Sequence, residues 1–356
     1  MKAMIMAAGV GSRLMPLTLN VPKPMVPMAN RPLMEIIVDL LRGYGIKEMI
    51  ANLHYHAGVI ENFFGDGQSQ GVSLLYSPEK ELMGTAGGVK LCQWFLDDTF
   101  IIVSGDALTD IDLDALVAEH RAKGALATIA LKEVSTVEQF GVVVCDETGR
   151  ITQFQEKPRR EEALSNLANT GIYIFEPEIF EYIPANEFYD FGKQVFPQLV
   201  QMGAPFYGAP IENYWCDIGS LATYHQAHID MLTNKLAIAP NGKVLRTDQG
   251  ALVLVGEGAS IGPEVSFAGQ VVLGPGCSLE GKVQVSNSIL WERVQVGDGS
   301  VIRDALIGAD CSLGQEVRVD PGAVIASGCR LNDRANIAGN SRIFSSRGGI
   351  MRLEYD

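Results

Sequence analysis

Several things are scarce in this chain, and each scarcity excludes a class of protein. It has six cysteines, at 92, 145, 216, 277, 311 and 329, and no two stand as Cys-x-x-Cys. That pattern offers neither a zinc-ligand spacing nor a dithiol redox motif, and it reads as reduced core thiols. No stretch approaches the ~18 apolar residues of a membrane span. The apolar segment at residues 1–8 is too short for a signal peptide, so the expected location is cytoplasmic. Basic residues are outnumbered, 28 Lys and Arg against 42 Asp and Glu, for a net charge of −14. An acidic body of this kind argues against nucleic-acid and anionic-membrane partners. Histidine occurs only at 54, 56, 120, 225 and 228, so the last third of the chain has no imidazole base. What remains is 356 residues, 47 % apolar, enough for about two cored domains.

The opening is the most informative segment. An apolar run from Ala3 to Ala8 stops at Gly9 and Gly11, Arg13 follows, and Lys23 comes ten residues after Arg13, in Pro22-Lys23-Pro24-Met25. A buried strand delivering a glycine-rich loop lets backbone N–H groups approach phosphate oxygens. Arg13 adds a planar fork and Lys23 a mobile point charge. The string is not a Walker A loop, since no Gly-Lys-Ser/Thr follows, and Gly9-Val-Gly11-Ser12-Arg13-Leu14 lacks the third glycine of the dinucleotide fingerprint.

Residues 1–234 alternate strands and helices, which predicts an α/β domain with a Rossmann-like mixed, mostly parallel sheet covered by helices on both faces. Strands are expected at 49–53, 72–76, 100–104, 125–131, 141–145, 151–156 and 171–175. Helices are expected from Pro32 to Gly43, from Asp112 to Lys123, over 194–202 and over 221–234. Residues 235–250 read as a linker. From 251 to 356 a six-residue repeat takes over. Val255, Ile261, Phe267, Leu273, Leu279 and Val285 fall six apart. After Val296 and Ile302 the register slips, and it resumes from Ile307 to Ile343. One aliphatic side chain per short strand, turned into a triangular interior, is the signature of a parallel β-helix. Small residues beside the aliphatics (Gly256, Gly262, Gly274, Gly308, Gly314) are expected to let the chain turn its corners. The slip predicts a small loop extruded at 287–293.

Two acidic positions stand out. Asp106 leaves an apolar strand directly, in Ser104-Gly105-Asp106, and strand carboxyl ends are where α/β sheets bind ligands. It is either a Mg²⁺ ligand or a turn aspartate. Asp217, in Trp215-Cys216-Asp217-Ile218-Gly219, is either a second ligand or the cap of the next helix. Asp110, Asp112 and Asp114 read as helix-start residues.

The opening string, Gly84-Thr85-Ala86-Gly87-Gly88, Asp106, Glu156-Lys157-Pro158, Asn169-Thr170-Gly171 and Asp217 occur in an order that resembles the sugar-1-phosphate nucleotidylyltransferases, and the tail resembles the left-handed β-helix some of them carry. Among branches the resemblance is greatest to mannose-1-phosphate guanylyltransferases. It implies transfer of a nucleotidyl group from GTP to mannose 1-phosphate with release of pyrophosphate. The alternatives are glucose-1-phosphate thymidylyl, uridylyl or adenylyl transfer, or a non-catalytic nucleotide-sugar-binding regulator. It implies catalytic roles for Arg13, Lys23, Asp106, Lys157 and Asp217, with Mg²⁺ held by Asp106 and Asp217. It implies substrate contacts from Ala8, Gly9, Gly11, Ser12, Gly84, Thr85, Gly105, Gly141, Glu156, Asn169 and Gly171. For guanine, Glu79, Glu81 or carbonyls near Gly84 are candidate acceptors. The tail is expected to help a homo-oligomer form. Acyl transfer there is unlike the known hexapeptide enzymes, because no histidine lies beyond His228.

Overall fold

The structure, a computed structural model, describes residues 1–346 and 349–353. The chain packs as two compact units. One comprises Met1–Val10 and Met34–Asp217, the other Gly11–Leu33 and Ile218–Asp356. This division by packing differs from the division at 234, 250 and 251 read along the sequence. The glycine-rich opening is split, and its Arg13 and Lys23 belong to the second unit. Residues 347, 348 and 354–356 of the expected 251–356 domain lie outside the described residues.

In the first unit a nine-stranded mixed sheet runs in the order Ile151–Glu156, Gly141–Cys145, Leu167–Phe175, Phe100–Ser104, Lys2–Met6, Glu48–Leu53, Ser73–Pro78. Ala127–Glu133 joins through Leu167–Phe175 and carries Phe206–Pro210. Lys2–Met6 is parallel to both its neighbours. Its residues Ala3, Met4 and Ile5 and those of Phe100–Val103 have no solvent exposure, so both sheet faces are covered and the strands read as unbroken apolar runs. The helices are α1 (Leu33–Gly43), α2 (Ala57–Phe64), α3 (Gly84–Leu91), α4 (Leu113–Ala122) and α5 (Phe196–Gln201), with α6 (Leu221–Leu232) in the second unit. Asp112 caps α4 by accepting the Ala115 N–H, and Ser220 with Thr223 forms a capping box on α6, as such residues do at helix starts. The first strand ends at Met6 rather than Ala8, and the Gly84–Gly88 string forms the first turn of α3.

In the second unit three parallel sheets form the β-helix, and Leu273, Leu279, Val285, Leu290, Val296, Ile302 and the later aliphatics fill its interior. Ile261, on the first coil, is 40 % exposed, because no coil precedes it. Coils stack at an 18-residue offset at both ends of the helix, and at 17 in between, where Val272, Ser278 and Gln284 pair with Ile289, Gln295 and Val301, and these in turn with Leu306, Ser312 and Arg318. The register slip is therefore two coils each shortened by one residue at one corner, not a loop extruded at 287–293. The corners themselves differ from expectation. Gly256, Gly262, Gly274, Gly308 and Gly314 have no positive φ. A Cβ on Gly274, for instance, would strike the backbone of Trp291 and Glu292 on the next coil. Their smallness serves coil-on-coil stacking. The turning is done by residues in the left-handed region that recur coil by coil, such as Arg293 and Asp310 at one corner and Asn287 and Asp304 at another. Antiparallel strands close one sheet at both ends: Lys243–Arg246 on Leu252–Val255, and Gly349–Leu353 on Arg342–Ser346. These cover edges that a solenoid must not leave open.

Candidate active site

The carboxyl ends of the central strands lie side by side. Met6 is in register with Ser104 and with Asn52, and the Gly105 N–H donates to the Met6 carbonyl. Beside this edge a cavity of about 270 Å³ is lined by Thr85, Asp106, Gly141, Glu156, Lys157, Asn169, Gly171 and Asp217 among others. Residues separated by up to 132 positions in the chain are thus gathered in one place.

The two carboxylates are brought together by a ribbon too short to read from sequence. Ala107–Thr109 pairs antiparallel with Trp215–Asp217, and Asp217 stands opposite Ala107, so Asp106 and Asp217 sit at the same end. Asp106 accepts a hydrogen bond from Ser104 Oγ at 2.5 Å. Asp217 precedes rather than caps α6, whose cap is Ser220. Two carboxylates suit Mg²⁺, an ion that fills its remaining positions with substrate phosphates and water. Among the described residues no group of three or more His, Cys, Asp or Glu is arranged to hold a metal by itself.

Asp110 is not a helix-start residue. Its carboxylate accepts the Tyr214 N–H at 2.8 Å and its carbonyl accepts Asn213 Nδ2 at 3.1 Å. Thr109 Oγ1 donates to the Tyr214 carbonyl, and Lys132 Nζ donates to the carbonyls of Ile211, Glu212 and Asn213. These clamps hold the strand that carries Asp217. Trp215 walls the cavity, donates its indole N–H to Thr170 O at 3.0 Å and meets the Phe140 ring edge-on.

Glu156 lies over two glycines. A Cβ at Gly141 would come within 3.0 Å of Glu156 Oε2, and one at Gly192 within 2.6 Å. Burial raises the Glu156 carboxyl above the usual carboxylate range, opposed by the Lys157 ammonium, whose Nζ is 4.0 Å away. Lys157 has φ of 49° and its N–H donates to the Phe140 carbonyl. Asn169-Thr170-Gly171 is not a turn before a strand. It lies within Leu167–Phe175, at an irregularity in the pairing. Gly171 has φ of 74° and a Cβ there would meet Ser104 Cβ at 2.9 Å. Asn169 braces the irregularity by accepting from Gly171 N and donating to the Tyr173 hydroxyl.

Asp190 and Gly192 also line the cavity. Asp190 accepts from Thr85 Oγ1, Gly192 N and Lys193 N, which is an N-cap pattern, and the Asp-Phe-Gly-Lys string before an apolar helix carried that signal. Behind it Phe175, Phe191, Phe196 and Phe206 pack ring on ring at 5.1–5.4 Å.

The Gly84–Gly88 string serves the fold in large part. The Ala86 and Gly87 N–H groups both donate to the Tyr189 carbonyl, and Gly84 has φ of 75° with that carbonyl where its Cβ would be. Glu79 is buried and braces three segments: it accepts from Asn52 Nδ2 and Met83 N, and Asn52 in turn accepts from Ala7 N. Each of its two oxygens accepts one hydrogen bond from the fold. Gly9 is different, for a Cβ there would meet nothing within 4 Å and its φ is not positive. In the second unit Gly11 has φ of 68°, its Cβ would lie 2.8 Å from Lys23 Cβ, and its carbonyl accepts from Thr18 Oγ1. Ser12 and Arg13 are exposed, in a one-turn helix that follows Gly11, and Lys23 is buried.

Residues 2–234 match the family model described as nucleotidyl transferase, and residues 244–337 match that of the EIF2B subunit epsilon LbH domain. The chain belongs to the nucleotidyl transferase family. It is 40 % identical to a UTP–glucose-1-phosphate uridylyltransferase of Synechocystis over 86 % of this chain and 87 % of that one. It is 32 % identical to a mannose-1-phosphate guanylyltransferase of Mycobacterium tuberculosis over 84 % and 82 %. It is 31 % identical to the mannose-1-phosphate guanylyltransferase catalytic subunit beta of Danio rerio over 95 % and 94 %. Among solved structures it resembles a Bacillus anthracis protein crystallised with sucrose and assigned by name to the glucose-1-phosphate thymidylyltransferases. The TM-score is 0.58 with 27 % identity, over 64 % of this chain and 93 % of that one. Among the described residues no helix is long and apolar enough to cross a membrane.

Proposed function

We propose that this enzyme transfers a nucleotidyl group from a nucleoside triphosphate to a hexose 1-phosphate, releasing pyrophosphate and forming a nucleotide sugar. The observation that carries the reading is the pairing of Asp106 and Asp217 at one end of a two-stranded ribbon, in a cavity that also holds Glu156 and Lys157. Asp106 and Asp217 are the residues that would hold Mg²⁺. When bound, the ion neutralises phosphate charge. The attacking group is a phosphate oxygen, anionic at neutral pH, so no strong general base is required. The protein's own part is positioning and charge stabilisation. Lys157 receives the sugar phosphate and Glu156 the sugar hydroxyls. Arg13 stabilises the departing pyrophosphate and Lys23 holds the reacting phosphates. The open space at Gly9 admits a phosphate close to the backbone.

The preferred pair is GTP with mannose 1-phosphate, supported by the names of relatives that cover most of this chain. UTP with glucose 1-phosphate is the second reading, favoured by the 40 %-identical relative. We further propose a cytoplasmic location, in keeping with six free cysteines, and a homo-oligomer assisted by the β-helix. The test is pyrophosphate release across GTP, UTP, dTTP, CTP and ATP against mannose, glucose and galactose 1-phosphates with Mg²⁺. Turnover with one pair assigns the substrates. Silence throughout, with tight nucleotide-sugar binding, would replace catalysis by a regulatory role.

A further inference from the structure

The segment Gly11–Leu33 carries Arg13 and Lys23 but little regular structure of its own. It consists of three one-turn helices, Ser12–Leu14, Leu17–Leu19 and Lys23–Met25, and a ribbon of two residues a side, Pro27–Met28 with Arg31–Pro32. At the ribbon's turn Ala29 and Asn30 have φ of 46° and 68°, a conformation disfavoured for residues with a side chain and kept only where the surroundings impose it. Those surroundings belong to the β-helix unit. The Pro27 carbonyl accepts the Tyr224 hydroxyl at 2.6 Å. That hydroxyl accepts in turn from Trp291 Nε1 at 2.9 Å. Ala29 O accepts from Asn241 N, and Asn30 Nδ2 donates to Leu273 O at 3.1 Å. Tyr224 is fully buried and Trp291 is 4 % exposed. His225 Nε2 lies 2.7 Å from Asn287 O, fixing α6 to the coil corner four residues before Trp291.

We propose that Trp291, through Tyr224, is a positioning residue for Arg13 and Lys23, so that the β-helix is part of the phosphate-binding apparatus and not only a means of self-association. A buried phenol with one donor and one acceptor partner has a single orientation. Its proton then holds the Pro27 carbonyl four residues after Lys23. Arg13 and Lys23 owe their placement to coils whose first strand begins only at Leu252. The inference rests on the proposed reading for its kinetic consequence and on geometry alone for its structural one.

The test uses the full chain with Trp291→Phe, which keeps an aromatic ring but removes the indole N–H and part of its volume, and Tyr224→Phe, which removes only the hydroxyl. A control, Val319→Ala, empties a buried interior position in a later coil. Hydrogen exchange of the amides at residues 11–33 and steady-state kinetics are read on folded protein, with Tm recorded. The expected result is exchange at 11–33 faster by roughly 10-fold or more in both relay variants. In both, kcat/KM for the triphosphate falls roughly 10- to 100-fold, whereas Val319→Ala lowers Tm without either change. Unchanged exchange at 11–33 in Trp291→Phe overturns the proposal, as does an equal kinetic loss in Val319→Ala. If wild-type chain turns over no substrate pair, the reading under Proposed function falls, and the exchange measurement alone decides the relay. Should Tyr224→Phe fail to fold, Trp291→Phe carries the test.

Discussion

The Asp110 carboxylate accepts the backbone N–H of Tyr214 at 2.8 Å across 104 residues of sequence. This bond sets the strand Trp215–Asp217 against Ala107–Thr109, and with it the spacing of Asp106 and Asp217. Asp110→Ala removes the acceptor. Turnover in the pyrophosphate-release assay should fall roughly 10- to 100-fold, the scale of a small misplacement of a reacting group. Asp110→Asn keeps an acceptor and should recover most of it. Equal losses in both variants would mean that the charge, rather than the clamp, matters.

Asp106→Ala and Asp217→Ala should each lower kcat at least ~10²-fold, the loss expected when one electrostatic stabiliser is removed. Arg13→Ala should do the same. Chelation of divalent cations should abolish turnover of the wild type, and added Mg²⁺ should restore it. A folded variant at either aspartate with near-wild-type turnover would remove that residue from the metal assignment.

Gly9 and Gly192 are glycines for different reasons, and their alanine variants should separate. Among the described residues, chain neighbours aside, nothing lies within 4 Å of a Cβ at Gly9, so Gly9→Ala should alter stability by no more than ~0.5 kcal/mol while raising KM for the triphosphate. A Cβ at Gly192 reaches Glu156 Oε2, so Gly192→Ala should raise KM for the hexose 1-phosphate instead. Calorimetry and kinetics with each substrate varied in turn check both. An unchanged KM for the triphosphate in Gly9→Ala would show that no phosphate approaches there.

His228 is fully buried between the Tyr224 carbonyl and ring, and burial lowers its pKa to about 4. His120 is lowered for the same reason, although the Glu176 carboxylate opposes the shift. In each case the folded imidazole stays neutral where the unfolded one takes up a proton. The stability is complete above the ordinary histidine value of ~6.5 and is lost as pH falls below it. For His228 the loss ends near its folded pKa of about 4 and amounts to about 3 kcal/mol. Urea unfolding from pH 7 to 4 should show the decline, and His228→Asn should flatten it. An unchanged slope in that variant would assign the acid sensitivity elsewhere.

Legibility followed the range of the interactions. The hexapeptide repeat was visible because one position in six faces a closed interior and tolerates only apolar side chains. The corner residues were not, since Gly, Asn, Asp, Glu, Lys and Arg all occupy the left-handed corners here. Asp106 was visible as the first polar residue off an apolar strand. Asp110 and Gly192 were hidden, because their partners Tyr214 and Glu156 are supplied by distant segments and leave no local pattern.

By itself the sequence determined the alternation of apolar strands and helices, the aliphatic periodicity of the tail and the chemical types at the strand ends. Each is a local matter of side-chain period and polarity. Tertiary structure decided which carboxylates become neighbours, which glycines are needed for stacking and which for open space, and that the segment with Arg13 and Lys23 packs with the β-helix. Hydrogen bonds such as Tyr224 to Pro27 form between groups far apart in the chain, and only the folded backbone brings the donor to its acceptor.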